Sequence, residues 1–195
     1  MVISKMKKYF LVALIFISSL AQSKPIIFDN DMAIDDWAAL LYLLHHPEAD
    51  VIAVTIAASG ESHCKPGLTN TNALIDLSGK TQKAIPVACG DDYPLDGYFV
   101  FPDAWRKDSD TLSGVEIPAS TRPVSDKHAA EVIHEAISKS KEKVTLIATG
   151  PLTNIAQWLE KYPRDKSKVE QLVIMGGTVD APGNIIVQLF TKGHP

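Results

Sequence analysis

Four aspartates are concentrated in one short stretch near the start of the chain. The stretch "IIFDNDMAIDDWAALL", residues 26–41, holds Asp29, Asp31, Asp35 and Asp36. Ionised carboxylates a few ångströms apart repel one another, so such a cluster needs a compensating charge. Oxygen ligands without a thiol or a group of histidines favour a hard divalent cation, Ca²⁺ or Mg²⁺. The spacing therefore predicts a metal site in this stretch.

Helix capping is the alternative explanation of the same acidic residues. Asp35 and Asp36 are expected in the first turn of a helix, where negative charge is favourable without any metal. Capping accounts for one or two carboxylates but gives no reason for Asp29 and Asp31. The metal site is the better explanation because it uses the whole cluster.

The elements around this stretch alternate between apolar strands and amphipathic helices. The predicted strands lie in KPIIFD, DVIAVTIAA, AIPVACG, KVTLIATG and VEQLVIMGG. The predicted helices lie in AIDDWAALLYLLHH, LTNTNALIDLSGK, SDKHAAEVIHEAISKSK and LTNIAQWLEKYP, the third of them capped by Ser125 or Asp126. Strands that are apolar throughout indicate an α/β fold with a mostly parallel sheet flanked by helices. Residues 91–123, rich in Pro, Asp and Ser, form the one long irregular connection that the sequence predicts.

The residues that follow the strands are the candidates for function, because ligands of open α/β sheets bind beyond the carboxyl ends of the strands. The acidic stretch leaves the first predicted strand, and ASGESH, CGDD, ATGPLTN and MGGTVDAPGN leave the other four. These exits should share one edge of the sheet. We expect the functional site at that edge.

The composition is that of one soluble globular domain. Of the 195 residues, 46% are hydrophobic and 22% are charged, and the formal net charge is −4. Lys and Arg are scattered rather than clustered with aromatic residues, which argues against a nucleic-acid partner.

The first 23 residues are typical of a secretory signal peptide. Lys5, Lys7 and Lys8 precede the apolar run FLVALIFISSL, and SLAQS offers small residues for cleavage. A membrane anchor is the alternative, but the run is shorter than the roughly 20 residues that span a bilayer. We therefore expect a mature domain over residues 24–195 that is secreted or periplasmic and has no membrane partner.

Two cysteines, Cys64 and Cys89, would lie in an oxidising compartment where a disulfide is permitted. Their spacing does not establish a bridge, and two unpaired or partly buried thiols are an equal alternative. A metal site built on them is not expected, since the chain has no CxxC motif and only His63 stands nearby.

Several ordered segments carry a resemblance to one enzyme family. The stretch DNDMAIDD resembles the DxDxxxDD signature of the inosine-uridine preferring nucleoside hydrolases. The segments VIAVTIAASG, TNTNALIDLSGK with IPVACGDDYPL, ATGPLTNIA, LVIMGG and PGN resemble segments of that family in the same order. The resemblance covers residues 24–184. It implies a Rossmann-like core and a calcium-dependent enzyme that cleaves the N-glycosidic bond of ribonucleosides.

The resemblance also implies a metal site and a catalytic base. Asp31 matches the aspartate that contacts calcium and acts as general base on the attacking water. Asp36 matches a carboxylate ligand of the calcium, and Thr149 matches a threonine whose backbone carbonyl is a further ligand. Asp29, the first acid of the signature, is placed with this metal site as the support of its loop.

Substrate contacts are implied in the same way. Asp35 matches the aspartate that hydrogen-bonds the ribose 2′-hydroxyl, and Met175 and Asn184 match positions that line the ribose pocket. Many members have an asparagine contact to ribose after the second strand, where this chain has SGESHC and places Glu61. We therefore include Glu61 among the substrate contacts.

The tail departs from the family pattern. After PGN the family continues with further ribose contacts, another calcium-binding aspartate and, in many members, a histidine near the leaving base. Here residues 185–195 read IIVQLFTKGHP and do not resemble that continuation. The expectation is a chain whose C-terminal part is missing, and His194 is not assigned to the leaving base.

Three functions remain open at this level. The first is a secreted calcium-dependent hydrolase of small-molecule ribonucleosides, with purine or pyrimidine preference undecided and with an oligomer allowed, since relatives commonly form dimers or tetramers. The second is a module that binds metal or nucleoside without hydrolysis. The third is a haloacid-dehalogenase-like phosphatase that uses FDND as a DxD motif for Mg²⁺, although this leaves the later DD pair unexplained.

Overall fold

Five parallel strands form the centre of the protein in a computed structural model that describes residues 23–97, 101–177 and 180. The strands are β1 (Lys24–Asn30), β2 (Ala49–Ile56), β3 (Val87–Cys89), β4 (Val144–Ala148) and β5 (Val169–Ile174). They are arranged in the order β3-β2-β1-β4-β5, and each neighbouring pair is parallel. The predicted α/β class with a parallel sheet is confirmed.

Helices connect these strands. They are α1 (Ile34–His45), α2 (Cys64–Leu77), α3 (Asp103–Asp110), α4 (Ala129–Lys139) and α5 (Thr153–Lys161), with short 3₁₀ segments at Leu112–Gly114 and Pro163–Lys168. Within the described ranges, the structure has no helix of the length and apolarity that a bilayer crossing requires. The predicted signal peptide, apart from Ser23, and the tail at residues 185–195 lie outside the described residues.

The sheet is covered on both faces by apolar layers. Phe28 of β1 is fully buried in a cluster with Leu40 of α1 and Ile75 of α2. Its neighbour Ile27 is fully buried in the other cluster, with Ile133 of α4 and Trp158 of α5. Adjacent strand residues point to opposite faces, so one strand anchors both layers. Burial of each such side chain stabilises the fold by about 1.5–3 kcal/mol.

The predicted start of α4 was wrong. The helix begins at Ala129, and the residue at its amino end is His128 rather than Ser125 or Asp126. The Nδ1 atom of His128 accepts a hydrogen bond from the Ala130 amide at 3.1 Å. The Ser125 hydroxyl instead accepts from the Lys127 amide at 3.1 Å, which forms a turn ahead of the helix.

Two further boundaries differ from the prediction. Helix α2 begins at Cys64, a turn before the predicted segment, and includes Pro66, which the first turn of a helix tolerates. The connection over residues 91–123 is not wholly irregular, because α3 lies within it.

Successive strands are added first on one side of β1 and then on the other. The chain builds β2 and β3 on one side of β1 and then places β4 on the other side. Such a reversal leaves a crevice between the carboxyl ends of the two central strands, here β1 and β4. This switch point is where the acidic stretch leaves β1.

Candidate active site

The switch point brings the exits of β1 and β4 together. Asp29 is the register partner of Ala148 across the β1–β4 pair. The amide of Thr149 donates a hydrogen bond to the Asp29 carbonyl at 2.9 Å. The acidic stretch and the segment ATGPLTN therefore meet at one edge, as the parallel arrangement predicts.

Asp31 is buried at this edge, with 4% of its surface exposed. Its Oδ2 accepts a hydrogen bond from the Glu61 amide at 3.0 Å, and its carbonyl accepts one from the Ser62 amide at 2.9 Å. Two glycines pack against it. A Cβ atom on Gly60 would lie 2.2 Å from Asp31 Oδ2, and one on Gly150 would lie 2.9 Å from the Cβ of Asp31. The position of the carboxylate thus depends on the absence of side chains at both glycines.

Asp36 joins the first turn of α1 to the exit of β4. Its Oδ2 accepts hydrogen bonds from the amides of Asp31 and Ala33, both at 3.1 Å. Its Oδ1 accepts one from the Thr149 hydroxyl at 2.6 Å. Asp36 therefore does cap its helix, as the alternative explanation of the sequence proposed. The same carboxylate lies between Asp31 and Thr149 at the switch point.

Asp29 lies deeper, at the end of β1, and is fully buried. Its Oδ1 accepts hydrogen bonds from the Thr55 hydroxyl at 2.5 Å and from the Asn154 amide group at 2.8 Å. Its Oδ2 is buried and has no hydrogen-bond partner among the described residues. A buried carboxylate oxygen without a partner is costly, so this oxygen calls for a proton or a cation.

The electrostatics of the cluster are those of crowded buried acids. Burial raises the pKa of Asp31 from 3.8 to about 9, and the negative charge of Asp36 adds to the rise. Burial also raises the pKa of Asp29 from 3.8 to about 7, against the hydrogen bonds from Asn154 and Thr55. The pKa of Asp36 is likewise raised by burial. A divalent cation beside these groups would favour their ionised forms and remove much of this cost.

The donor set fits a hard cation, because every atom it offers is an oxygen. In the described part of the chain, no three or more His, Cys, Asp or Glu side chains are grouped so that they alone could hold a metal ion. The switch point brings the carboxylates of Asp31 and Asp36 together beside Thr149. A cation held there would need further oxygen ligands from the backbone, water or substrate.

Two further acids form the outer part of the site. Asp35 is exposed in the first turn of α1. Glu61 is partly buried, and its pKa is raised by burial and then by the charges of Asp35 and Asp36, while a hydrogen bond with the Ser109 side chain opposes the rise. Asp35 and Glu61 therefore add negative charge beside Asp36, which suits a cation or a developing positive charge.

Met175 and Asn184 are the remaining predicted substrate contacts. Met175 is 59% exposed just after β5, and its amide donates to the Ala148 carbonyl at 2.9 Å. It therefore lies at the same edge, bonded to the residue of β4 that directly precedes Thr149. Asn184 lies outside the described residues.

Several residues that hold the acids in place were not predicted from the sequence. Asn154, Thr55 and Gly150 contact the acidic stretch from other elements. Asn154 stands in the strand exit ATGPLTN and was available as a buried polar residue at a helix start. Thr55 lies inside an apolar strand, and its only signal was a hydroxyl where the strand is otherwise apolar.

A cavity of about 580 Å³ lies at the opposite end of the sheet. Its walls include Pro25 and Ile52 at the amino ends of β1 and β2, with Val132 and Ala136 of α4. None of the acids described above lines it. The acidic cluster and this cavity are therefore separate features of the molecule.

The fold and the site define a parallel α/β protein with an acidic, oxygen-lined centre at its switch point. The chain belongs to the inosine-uridine preferring nucleoside hydrolase family, whose model matches residues 26–189. Membership excludes the haloacid-dehalogenase-like interpretation of FDND.

Relatives of known name agree with this assignment. The pyrimidine-specific ribonucleoside hydrolase RihA of Shewanella sp. (strain MR-4) is 38% identical over 155 residues, which are 80% of this chain and 48% of that protein. The protein of the same name from Escherichia coli (strain SMS-3-5 / SECEC) is 35% identical over 80% of this chain and 49% of its own length. The chain thus spans about half the length of the curated relatives it matches.

Solved structures show the same fold. The inosine-uridine preferring nucleoside hydrolase of Bacillus anthracis superposes with a TM-score of 0.69 at 28% identity, over 84% of this chain and 53% of that one. The purine-preferring ribonucleoside hydrolase of Gardnerella vaginalis gives a TM-score of 0.67 at 30% identity, over 80% of this chain and 50% of that one.

Proposed function

We propose that this protein hydrolyses the N-glycosidic bond of ribonucleosides, releasing the free base and ribose. The observation that carries the proposal is the meeting of Asp31, Asp36 and Thr149 at the switch point of a nucleoside hydrolase fold. Family membership supports the reaction class.

The proposed cofactor is Ca²⁺, held by the carboxylates of Asp31 and Asp36 and by the backbone carbonyl of Thr149. When bound, the ion would lower the pKa of a water molecule and orient it together with ribose hydroxyls. Asp29 supports this centre from behind, where its charge and its buried Oδ2 add to the negative potential. The all-oxygen donor set and the raised pKa values of the acids support this choice of a hard cation.

Asp31 is the proposed general base. Its carboxylate takes a proton from the water molecule as the water oxygen bonds to the anomeric carbon. The carbon–nitrogen bond then breaks, and its electron pair stays on the nitrogen of the departing nucleobase. The Glu61 amide holds Asp31 Oδ2 in one orientation through the 3.0 Å hydrogen bond. The sugar passes through an oxocarbenium-like state that carries positive charge. The negative charges of Asp35 and Glu61 therefore stabilise the transition state more than the ground state.

Asp35 and Glu61 are the proposed contacts to the ribose hydroxyls, with Met175 and Asn184 lining the same pocket. The exposure of Asp35 and the partial burial of Glu61 leave carboxylate oxygens available to accept from hydroxyl groups. These contacts do not specify which nucleobase the site prefers. The named relatives include both pyrimidine-specific and purine-preferring enzymes.

Export is the proposed localisation, to the periplasm or the exterior. The leader-like first 23 residues predict it, and a disulfide between Cys64 and Cys89 supports it, because such bonds persist in oxidising compartments. A homo-oligomer is compatible with the fold.

The reaction is tested by identifying products from inosine and uridine in the presence of Ca²⁺. The proposal predicts equal amounts of free base and ribose from at least one of them. The control is Asp50→Asn, which removes an acid at the opposite end of the sheet, where Asp50 pairs with Lys83. Tight nucleoside binding without either product, from a folded sample, would instead identify a binding protein.

A further inference from the structure

Helix α3 packs over the loop that follows β2. This loop, residues 57–63, contains Glu61 and the backbone groups that bind Asp31. The sequence pattern gave no role to α3, which lies in the long connection before α4. Its buried residues are Arg106 and Ser109, both polar.

Arg106 holds both ends of the turn in this loop. Its guanidinium Nη2 donates to the carbonyl of Ala58 at 2.6 Å and to the carbonyl of Ser62 at 3.1 Å. Arg106 is only 8% exposed. These two carbonyls bracket Gly60 and Glu61, and a planar guanidinium with fixed donor directions restrains both at once.

The same turn provides the backbone donors of Asp31. The amide of Glu61 donates to Asp31 Oδ2, and the amide of Ser62 donates to the Asp31 carbonyl at 2.9 Å. Ser62 therefore binds Arg106 through its carbonyl and Asp31 through its amide. Glu61, whose amide binds Asp31 Oδ2, directly precedes it. We propose that Arg106 is a positioning residue that sets the orientation of the Asp31 carboxylate through the Gly60–Glu61 turn. This inference rests on the proposed function only for its effect on turnover.

Other contacts tie α3 to the same loop. Asp110 Oδ1 accepts from the His63 amide at 2.8 Å, and its Oδ2 lies 2.7 Å from His63 Nδ1. The Asn70 side chain of α2 donates to the Asp110 carbonyl at 3.0 Å. Ser109 reaches the Glu61 side chain. Helix α3 is thus fixed at its C-terminal end, so that Arg106 acts from a rigid support.

Arg122 offers a matched comparison within the same chain. Its Nη1 donates to the Lys83 carbonyl at 3.0 Å and its Nη2 to the Lys80 carbonyl at 3.3 Å, and Asp76 lies 3.4 Å from its Nε. It is a guanidinium that holds a loop by its carbonyls, as Arg106 does. Its loop lies beyond the end of α2, and these bonds of Arg122 in the described structure go to that loop and to Asp76 rather than to the acidic stretch.

The test compares Arg106→Met, Arg106→Lys and Arg122→Met by residue-resolved amide hydrogen exchange. We expect exchange at the Glu61 and Ser62 amides to accelerate about tenfold or more in Arg106→Met, which is about 1.4 kcal/mol of lost protection. Amides in the centre of α4 should keep their protection. Arg106→Lys should restore part of the effect because one ammonium can bind one carbonyl, and Arg122→Met should leave Glu61 and Ser62 unchanged.

Turnover provides a second readout. Misplacement of the base predicts a kcat reduced by about 10²-fold in Arg106→Met, with KM changed much less. Unchanged protection at Glu61 in folded Arg106→Met, or an equal loss in Arg122→Met, would overturn the inference. If Arg106→Met does not fold, the exchange in Arg106→Lys decides. Absence of ribose release from the unaltered chain would contradict the proposed function alone, since the exchange result does not depend on activity.

Discussion

The Asp31 carboxylate is oriented mainly by backbone atoms, while the Asp36 carboxylate accepts a hydrogen bond from the Asp31 amide. Backbone amides of the β2 exit loop bind Asp31, and Gly60 and Gly150 approach it more closely than any other residue type could. The orientation of the proposed base is therefore a property of backbone geometry. Substitutions beside it should affect chemistry before they affect folding.

Gly60→Ala tests this dependence. The added Cβ would lie 2.2 Å from Asp31 Oδ2 and 2.7 Å from the Cδ of Pro151, so the carboxylate or the loop must move. We expect kcat to fall by about 10²-fold, as for other misplacements of about 1 Å, with a smaller change in the melting temperature. Steady-state kinetics and thermal unfolding measure the two effects.

Gly79→Ala is the matched control. Gly79 follows α2 with a φ of +77°, and nothing lies within 4 Å of a Cβ built on it. The added methyl group should cost about 1 kcal/mol of stability through backbone strain and leave kcat unchanged. Equal losses of kcat in the two variants would show that Asp31 is not held as described.

The acids of the site could be predicted from the sequence, but the contacts that hold them could not. The acidic cluster was visible because its four members are close together in the chain. Their hydrogen bonds to distant residues were not visible. Glu61, which the sequence indicated only as a substrate contact, is separated from Asp31 by 30 residues, and Asn154 is separated from Asp29 by 125. A spacing argument identifies acids that need a counter-charge, but only the fold says which distant amide or glycine meets them.

Elements were predicted well where apolar periodicity defines them. Strands β1, β2, β4 and β5 and helices α1 and α5 lie where the pattern indicated. Helix α3 has the sequence DAWRKDSD and buries an arginine and a serine, so it has no apolar stripe to detect. Helix α4 starts late because Ser125 binds the amide of Lys127 and leaves the first turn to His128.

The disulfide is the main covalent link between elements. Cys64 at the start of α2 bonds to Cys89 at the end of β3, with their Cα atoms 5.7 Å apart. The sequence left the pairing open, and the structure brings both residues to the carboxyl edge of the sheet. The two cysteines are 25 residues apart in the sequence. For a loop of this size the chain-entropy model gives a contribution of about 3.5 kcal/mol.

Replacing both cysteines by serine should lower the free energy of unfolding by about 2–4 kcal/mol. Urea titration of the oxidised protein and of the double variant measures the difference. A reducing agent should destabilise the unaltered protein and leave the double variant unchanged. Equal stability of the two oxidised proteins would show that the link contributes nothing, and the support it gives to an extracellular localisation would then be lost.

At the scale of the whole molecule, the buried acids make stability depend on pH and on cations. In the absence of metal, the folded-state pKa values of Asp29 and Asp31 are about 7 and about 9, against 3.8 for each ordinarily. Between these values the folded protein binds protons that the unfolded chain has released. Stability from these groups is therefore fully present below about pH 4 and is lost as the pH rises through 7 and then 9.

We predict that the protein in a chelator loses stability as the pH rises from about 5 to about 8, by an amount on the order of 3 kcal/mol for Asp29 alone. Added Ca²⁺ should reverse the loss by binding the ionised folded state. Asp31→Asn should be more stable than the unaltered protein in chelator at about pH 8, yet gain less from Ca²⁺. Thermal unfolding across this range, with and without Ca²⁺, measures both effects. A flat profile in chelator would contradict the described burial of the acids.

The molecule as a whole places its chemistry at a position set by topology. The strand order puts the exits of β1 and β4 side by side, and the acidic stretch follows β1 directly. The sequence predicted the edge of the sheet but not the switch point, because strand order is decided by packing across the chain rather than by any local pattern. In the folded protein, three of the four neighbouring aspartates, Asp29, Asp31 and Asp36, are buried together, and Asp35 is exposed.

The most direct measurement is ribose release from inosine and uridine as a function of Ca²⁺ concentration, for the unaltered protein and for Asp31→Asn. We predict release that rises with Ca²⁺, stops in chelator and falls by about 10²–10⁴-fold in the variant, while both proteins remain folded. Release that is independent of Ca²⁺, or that survives in Asp31→Asn, would contradict the assignment of Asp31 and the metal to the reaction.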